Sequence, residues 1–421
     1  MHTTTSLKNI TRSSLKISKK TLITAIIALG SVHVAAITTE ERQAYIKDFS
    51  MVSFMHPSQQ ASWYWKNLDQ VLPTSSVKKS GVALPLERAH IDPKLIYNAT
   101  FKDTKLNDLF KGKNPPLNSM IIVQDGKVIF EHYNIPANTK HVWMSNAKPI
   151  AGLLVAMLEA EGKIDVNKPL KTYIPALKEK DWGNIPVIDV LNMQSGMNHE
   201  ENDAARSNPD SWISKMMLAE TGEAKNYYDT LINIPKAKAP GQAFEYSSAN
   251  TQMLALLVST IEKKTFSEVF EERVWAKAGM TGDSYFTLTP DGYEVAHGLF
   301  NSNIEDMARF AMLFTDSWSA TAKKQIVPNS MVKHIQQSVK PGIYKVSPAH
   351  VGFIGMFPDE PIGGTYQFDA VFKDGDLYKG GMRGQGLYIS PDKNTVAVWF
   401  SNRVENHNVA GYIRGFIKEM K

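Results

Sequence analysis

The rhythm of apolar and polar residues changes three times along the chain. From residue 37 to about 115 it is weakly periodic and rich in aromatics (Trp63, Tyr64, Trp65), which reads as an extension, residues 37–110, wrapped on a larger body. Two apolar runs, 120–123 and 127–133, then flank Asp125-Gly126, a pair that favours a tight β-hairpin. Over 149–161 the apolar positions Ile150, Leu153, Leu154, Met157 and Leu158 take a helical spacing that stops at Gly162. Helical patterns dominate from about 185 to 340, including 252–261, 266–275 and 304–314. Strand patterns return at 368–372, 377–378, 387–389 and 395–400, separated by the turns Lys373-Asp374-Gly375-Asp376 and Pro391-Asp392-Lys393-Asn394, and a last helix covers about 409–420. Strands at both ends with helices between predict an α+β fold. One antiparallel sheet is assembled from N- and C-terminal parts of a main domain, 111–421, with a helical region inserted at about 160–340.

Composition narrows the class. With 421 residues, 43% apolar, 21% charged and no cysteine, the chain is long enough for a large core and fits neither a disordered nor a disulfide-framed protein. The net charge of +5 raises the question of anionic partners, and its distribution answers it. Residues 1–36 hold Lys8, Arg12, Lys16, Lys19 and Lys20 and no acidic residue, which leaves 42 basic against 42 acidic residues in the remainder. An apolar run from Leu22 to Val34 follows the basic stretch, broken by Gly30, Ser31 and His33 and closing on Ala35 and Ala36. This is the form of a secretory signal peptide cleaved after Ala36, and the run is shorter than the roughly 20 apolar residues that span a bilayer. The expectation is a periplasmic or secreted protein with no stable membrane insertion after cleavage and no nucleic-acid partner, its oligomeric state left open.

Candidate chemistry centres on Ser145-Asn146-Ala147-Lys148. A serine and a lysine three apart share a helix face, so an amine can act as base for a hydroxyl nucleophile without a histidine. S-x-x-K occurs six times here, at Ser13, Ser75, Ser76, Ser145, Ser330 and Ser390, and an N-capping serine with a snorkelling lysine is the simpler reading of any one copy. Only Ser145 opens a long, mostly uncharged amphipathic helix, with Pro149 inside the first turn; burial there would lower the pKa of Lys148 toward that of a useful base. Tyr246-Ser247-Ser248 stands at the entrance of another helix, where a phenol near a cation is expected to have a lowered pKa and to shuttle protons. Lys379-Gly380-Gly381-Met382-Arg383-Gly384-Gln385-Gly386 lies between late strands, a glycine-rich edge that lets a substrate approach and leaves the Met382 N–H free for an oxyanion.

In this order and spacing the three pieces resemble the serine β-lactamase and penicillin-binding-protein superfamily, in its class C β-lactamase-like branch. Leu191 to Met197, 275–280 and Ala308-Arg309-Phe310 extend the likeness over about 110–415, and the Tyr-Ser-Ser form is similar to the 6-aminohexanoate-dimer hydrolase and esterase-type members. The resemblance implies a β-lactamase/transpeptidase-like fold and no cofactor or metal. It implies Ser145 as acylated nucleophile, Lys148 as its base partner, Tyr246 as proton relay, and the N–H groups of Ser145 and Met382 as oxyanion hole. Ser248, Lys379, Gly380, Gly381, Arg383, Gln385 and His297 are expected to touch substrate. Two departures from class C β-lactamases, Ser248 for the asparagine of Tyr-x-Asn and Gly380 for the threonine of K-T-G, favour an ester or linear amide substrate over a β-lactam. Alternatives are a β-lactamase, a D,D-peptidase acting on peptidoglycan peptides, or a low-turnover binding protein of the same fold. His199-Glu200-Glu201, the nearest approach to a zinc motif, lacks a second histidine at helical spacing and reads as a solvated loop beside the site.

Overall fold

The computed structural model describes residues 37–112, 115–224, 226–347, 355–402 and 408–420. The expected signal segment and its cleavage point lie outside the described residues.

Asp125 and Gly126 adopt φ of 50° and 74°, the doubly positive turn that matches the twist of the strands Leu117–Gln124 and Lys127–Tyr133. This hairpin belongs to an eight-stranded sheet ordered Gly363–Thr365, Phe368–Val371, Leu377–Gly381, Gln385–Ser390, Thr395–Ser401, Leu117–Gln124, Lys127–Tyr133 and Glu87–Arg88. The N-terminal hairpin therefore joins the C-terminal meander through the antiparallel pairing of Leu117–Gln124 with Thr395–Ser401. Only the short edge strand Glu87–Arg88 runs parallel to its neighbour.

The sheet separates two cores, and side-chain alternation sorts residues between them. Ile121, Val123, Val396, Val398 and Leu387 face one core; Met120, Ile122, Ala397, Trp399 and Tyr388 face the other. Burial on both faces explains why these strands read as nearly continuous apolar runs. The C-terminal helix Asn408–Glu419 covers the second core with Val409, Ile413 and Ile417. The first core holds the helix Lys148–Ala160, buried from Lys148 to Leu158, together with Ser248–Glu262 and Ile304–Met312. Gly152 lets that helix approach the loop at Tyr366: a β-carbon there would stand 2.1 Å from the Tyr366 carbonyl oxygen.

A second sheet, absent from the sequence reading, has four short strands in the order Thr74–Val77, Ser284–Thr287, Phe300–Ser302 and His141–Val142. Its strands are two to four residues long, too short for a period-two pattern to stand out. It ties the N-terminal lead to the body and delivers the chain directly into Trp143-Met144-Ser145. Trp65, Leu68, Phe54 and Met51 of the lead share one apolar cluster with Val142, Met144 and Leu299.

Candidate active site

Ser145 sits in a single 3-10 turn, Met144–Ala147, immediately before the helix Lys148–Ala160. Its predecessor Met144 has φ of 51°, a left-handed conformation that non-glycine residues avoid and that tends to persist at functional sites. The turn is pinned by Trp143, whose N–H donates to the Phe300 carbonyl (2.8 Å) and whose indole donates to Ser302 (2.8 Å). Within residues 141–150 only Ser145 keeps partial exposure. A hydroxyl is thus offered to solvent from a rigid, otherwise buried turn.

One helical turn on, Lys148 is fully buried and donates to the Ser248 hydroxyl at 2.7 Å. Burial pushes its amine down to about 7; Glu201 works against that fall, and Lys379 adds to it. The amine also stands 5.2 Å from the centre of the Tyr246 ring. Lys379, equally buried, stands 4.5 Å from that centre, donates to the Tyr246 hydroxyl at 3.4 Å and is ion-paired with Asp369. Asp369 also accepts from the Gly380 N–H at 2.9 Å, which fixes the strand edge. Burial lowers the pKa of Lys379 as well, with the Asp369 carboxylate opposing the fall.

Tyr246 joins the two lysines, and its phenol interacts with the Ser145 hydroxyl. Its titration departs from the sequence expectation: burial first, then the carboxylates of Asp369 and Glu201, raise the phenol well above 10. Tyr246 is therefore a neutral hydrogen-bond donor near neutral pH, since the nearby cations are outweighed by desolvation and by the anions that accompany them.

The glycine-rich segment forms the tip of the hairpin between Leu377–Gly381 and Gln385–Ser390, where Gly381 pairs with Gln385 and Arg383 has φ of 64°. A β-carbon on Gly381 would lie 2.9 Å from the Asn146 amide and 3.0 Å from the Trp143 carbonyl oxygen, so glycine is what lets the hairpin dock on the nucleophile turn. That docking brings Met382 beside Ser145, and both line the same pocket.

Ser145 stands where two cavities meet. An outer cleft of about 780 Å³ is bordered by Tyr246, Gly380, Gly381, Met382 and Arg383. An inner pocket of about 80 Å³ runs behind Ser145, past Ser248 and Met382, to His199, Glu220 and His297. Glu201 and Arg206 line both.

Several expected residues have other work. Gln385 is fully buried, with its amide donating to the Ser401 carbonyl (2.6 Å) and accepting from the Ser401 N–H (2.8 Å); it locks neighbouring strands and lines neither cavity. Ser248 is a partner of Lys148 before it is a substrate contact. Arg383 borders the outer cleft while donating to the Met55 carbonyl at 2.5 Å. His297 reaches the inner pocket, paired with Glu220 at 2.9 Å.

The 199–201 segment is a correction. Glu200 is exposed, but His199 is buried and the Glu201 side chain is only 8% exposed. Burial opposes ionisation of Glu201, yet Lys148, His199 and Arg206 outweigh it and hold the carboxyl at about 2. Glu201 pairs with Arg206 at 3.1 Å and accepts from the Ser248 N–H, where the helix dipole favours an anion. Burial pushes His199 down to about 4, so it is a neutral ring, with Nδ1 3.1 Å from the Ser247 hydroxyl. Among the described residues no cluster of acidic and histidine side chains suits a metal ion.

With this geometry established, comparison with known proteins locates the chain. The family model described as Beta-lactamase matches residues 116–419. The chain is 25% identical over 347 residues, 81% of its length and 85% of the relative's, to the 6-aminohexanoate-dimer hydrolase of Paenarthrobacter ureafaciens. It is 24% identical over 185 residues to Protein flp of Staphylococcus aureus strain MW2, matching 41% of this chain and 34% of that one. Among solved structures, a Bacillus anthracis protein bearing the same hydrolase name superposes with a TM-score of 0.72 at 23% identity, covering 89% of this chain and 96% of that one. EstCE1, described as a hydrolase with promiscuous acyltransferase activity, gives a TM-score of 0.54 at 14% identity, over 72% of this chain and 93% of that one.

Proposed function

The chain belongs to the beta-lactamase family, and from that premise we propose that it is an exported serine hydrolase that cleaves an ester or linear amide through an acyl-enzyme on Ser145. The observation that carries the reading is the buried amine of Lys148, pushed down to about 7, one turn from the single partly exposed hydroxyl of a rigid turn.

Neutral Lys148 takes the proton of Ser145 as Oγ bonds to the substrate carbonyl carbon. The oxygen that becomes negative is held by the N–H groups of Ser145 and Met382. As the bond to the leaving group breaks, the neutral phenol of Tyr246 gives its proton to the departing alcohol or amine and is recharged from the Lys148 ammonium. Water then attacks the acyl-enzyme by the reverse proton path. Lys379, its charge held by Asp369, keeps the phenol oriented through the bond to its hydroxyl.

Two observations support an ester or linear amide over a β-lactam. The Ser248 hydroxyl is bonded to Lys148, and Gly380 supplies no hydroxyl for a substrate carboxylate. The name of the Paenarthrobacter relative, a hydrolase of a 6-aminohexanoate dimer, likewise names no β-lactam. A fluorophosphonate probe is expected to label the wild type and not Ser145→Ala; absence of labelling would sink the enzyme reading in favour of a binding protein. Short-chain p-nitrophenyl esters should turn over faster than a chromogenic cephalosporin, and equal efficiency on both would favour the β-lactamase alternative. Export is read from residues 1–36: the mature protein should begin at Ile37, and a chain retaining those residues would contradict it.

A further inference from the structure

The pocket behind Ser145 is closed by residues that precede the family match. Met51, Phe54 and Met55, on the short helix Met51–Met55 of the N-terminal lead, line the inner pocket opposite Met217 and Leu299. Val52, Met55 and His56 border the outer cleft, so this one segment stands between the two cavities. It is fastened at several points. The capping box of Ser50 and Ser53 starts the helix, the Trp65 indole donates to the Phe54 carbonyl at 3.0 Å, and Arg383 donates to the Met55 carbonyl at 2.5 Å. The last bond runs from the turn that carries Met382, so the wall is registered against the place where the oxyanion would sit. The same lead holds the strand entering the nucleophile turn, since Val142 donates its N–H to the Trp65 carbonyl at 2.8 Å.

We infer that residues 51–56 are the specificity wall of the acyl pocket, fixing the length and breadth of the acyl group that Ser145 accepts and favouring a short, slender apolar one. The inference rests on the acyl-enzyme reading above. In this proposal the acyl group enters the inner pocket of about 80 Å³ and the leaving group the outer cleft of about 780 Å³, which makes the acyl part the restricted one and the leaving group the tolerant one. Methionine is a suitable lining because its unbranched thioether adapts to a chain of neighbouring length without opening the pocket. The wall is set by Met55, which touches both cavities and is itself only partly buried, so it can be changed without emptying the core.

The test compares kcat/KM for p-nitrophenyl acetate, butyrate and octanoate in the wild type, Met55→Ala and Met55→Trp. The octanoate-to-acetate ratio should rise about tenfold in Met55→Ala and fall about tenfold in Met55→Trp, the scale of discrimination that a methylene or two in an apolar pocket provides. The two changes push the ratio in opposite directions, so a general loss of folding, which lowers both rates together, imitates neither. A wild type that turns over esters, with the ratio unmoved in both variants, overturns the wall while leaving the acyl-enzyme reading standing. A wild type that turns over none of the three and is not labelled by the fluorophosphonate overturns both.

Discussion

The start of the helix Lys148–Ala160 and the edge of the strand Leu377–Gly381 each bury a lysine against the same tyrosine ring, and the two differ in their polar company. Lys148 meets a hydroxyl, that of Ser248; Lys379 meets a carboxylate, that of Asp369. Burial lowers both amines, but at Lys379 the leading opposition is a carboxylate in direct contact, whereas at Lys148 it is Glu201 acting without a direct bond. One residue type at one depth thus yields two instruments. Without a touching anion, the amine is pushed down to about 7, where the proposed mechanism uses it as the base; with one, the amine is ion-paired and donates to the Tyr246 hydroxyl.

Four substitutions act on the two lysines and their partners. Lys148→Met should have the largest effect, a loss of about 10²–10⁴-fold in the acylation rate by stopped-flow, because the base is gone. Its melting temperature should not fall, since an apolar chain of similar length replaces an amine that burial disfavours; retained acylation would assign the base elsewhere. Tyr246→Phe should cost about 10²-fold in kcat for poor leaving groups such as anilides and less for p-nitrophenolate, which leaves without a proton. Equal losses on both would remove Tyr246 from the leaving-group step. Asp369→Asn tests the strand edge instead: stranding a buried ammonium should destabilise the fold by about 3–5 kcal/mol in denaturant titration. A loss below about 1 kcal/mol would mean that Lys379 is not held as a charged partner.

The smallest expected effect concerns Glu201, whose anion supports the protonated form of Lys148. The base works only when deprotonated, so activity rises with pH through the lysine pKa. Removing the anion in Glu201→Gln lowers that pKa, and the rising limb of kcat/KM against pH should move to lower pH. A shift to higher pH, or none, would show that the carboxylate does not act on Lys148.

The same contrast explains what could be read before the structure. Ser145, Lys148 and Tyr246 were legible because a Ser/Lys spacing at the mouth of an apolar helix and a tyrosine at a helix entrance are local facts. The hairpin at Asp125-Gly126 and the long helix ending before Gly162 were legible for the same reason. Glu201 and His199 were not: in sequence they are charged and polar residues of a loop. They turn inward only because Lys148, Arg206 and the end of the helix Ser248–Glu262 arrive from elsewhere to hold them. The raised titration of Tyr246 was hidden likewise, since it depends first on burial by the assembled fold and then on Asp369, more than a hundred residues away. Gln385 misled in the other direction. Beside glycines it resembles a substrate contact, and only the pairing of Gln385–Ser390 with Thr395–Ser401 gives its amide a backbone to bind. The part of the lead that forms a pocket wall, Met51 to Met55, carries no motif at all.

In the proposed mechanism Ser145 is acylated when Lys148 is neutral. This step is tested most directly by mass spectrometry of the protein quenched at short times after mixing with a p-nitrophenyl ester, from pH 5 to 9. Acyl mass is expected on the peptide containing Ser145, at a rate that climbs about tenfold per pH unit below about 7 and levels off above it. Acylation at another residue, or a Ser145 rate indifferent to pH across that range, would contradict that mechanism.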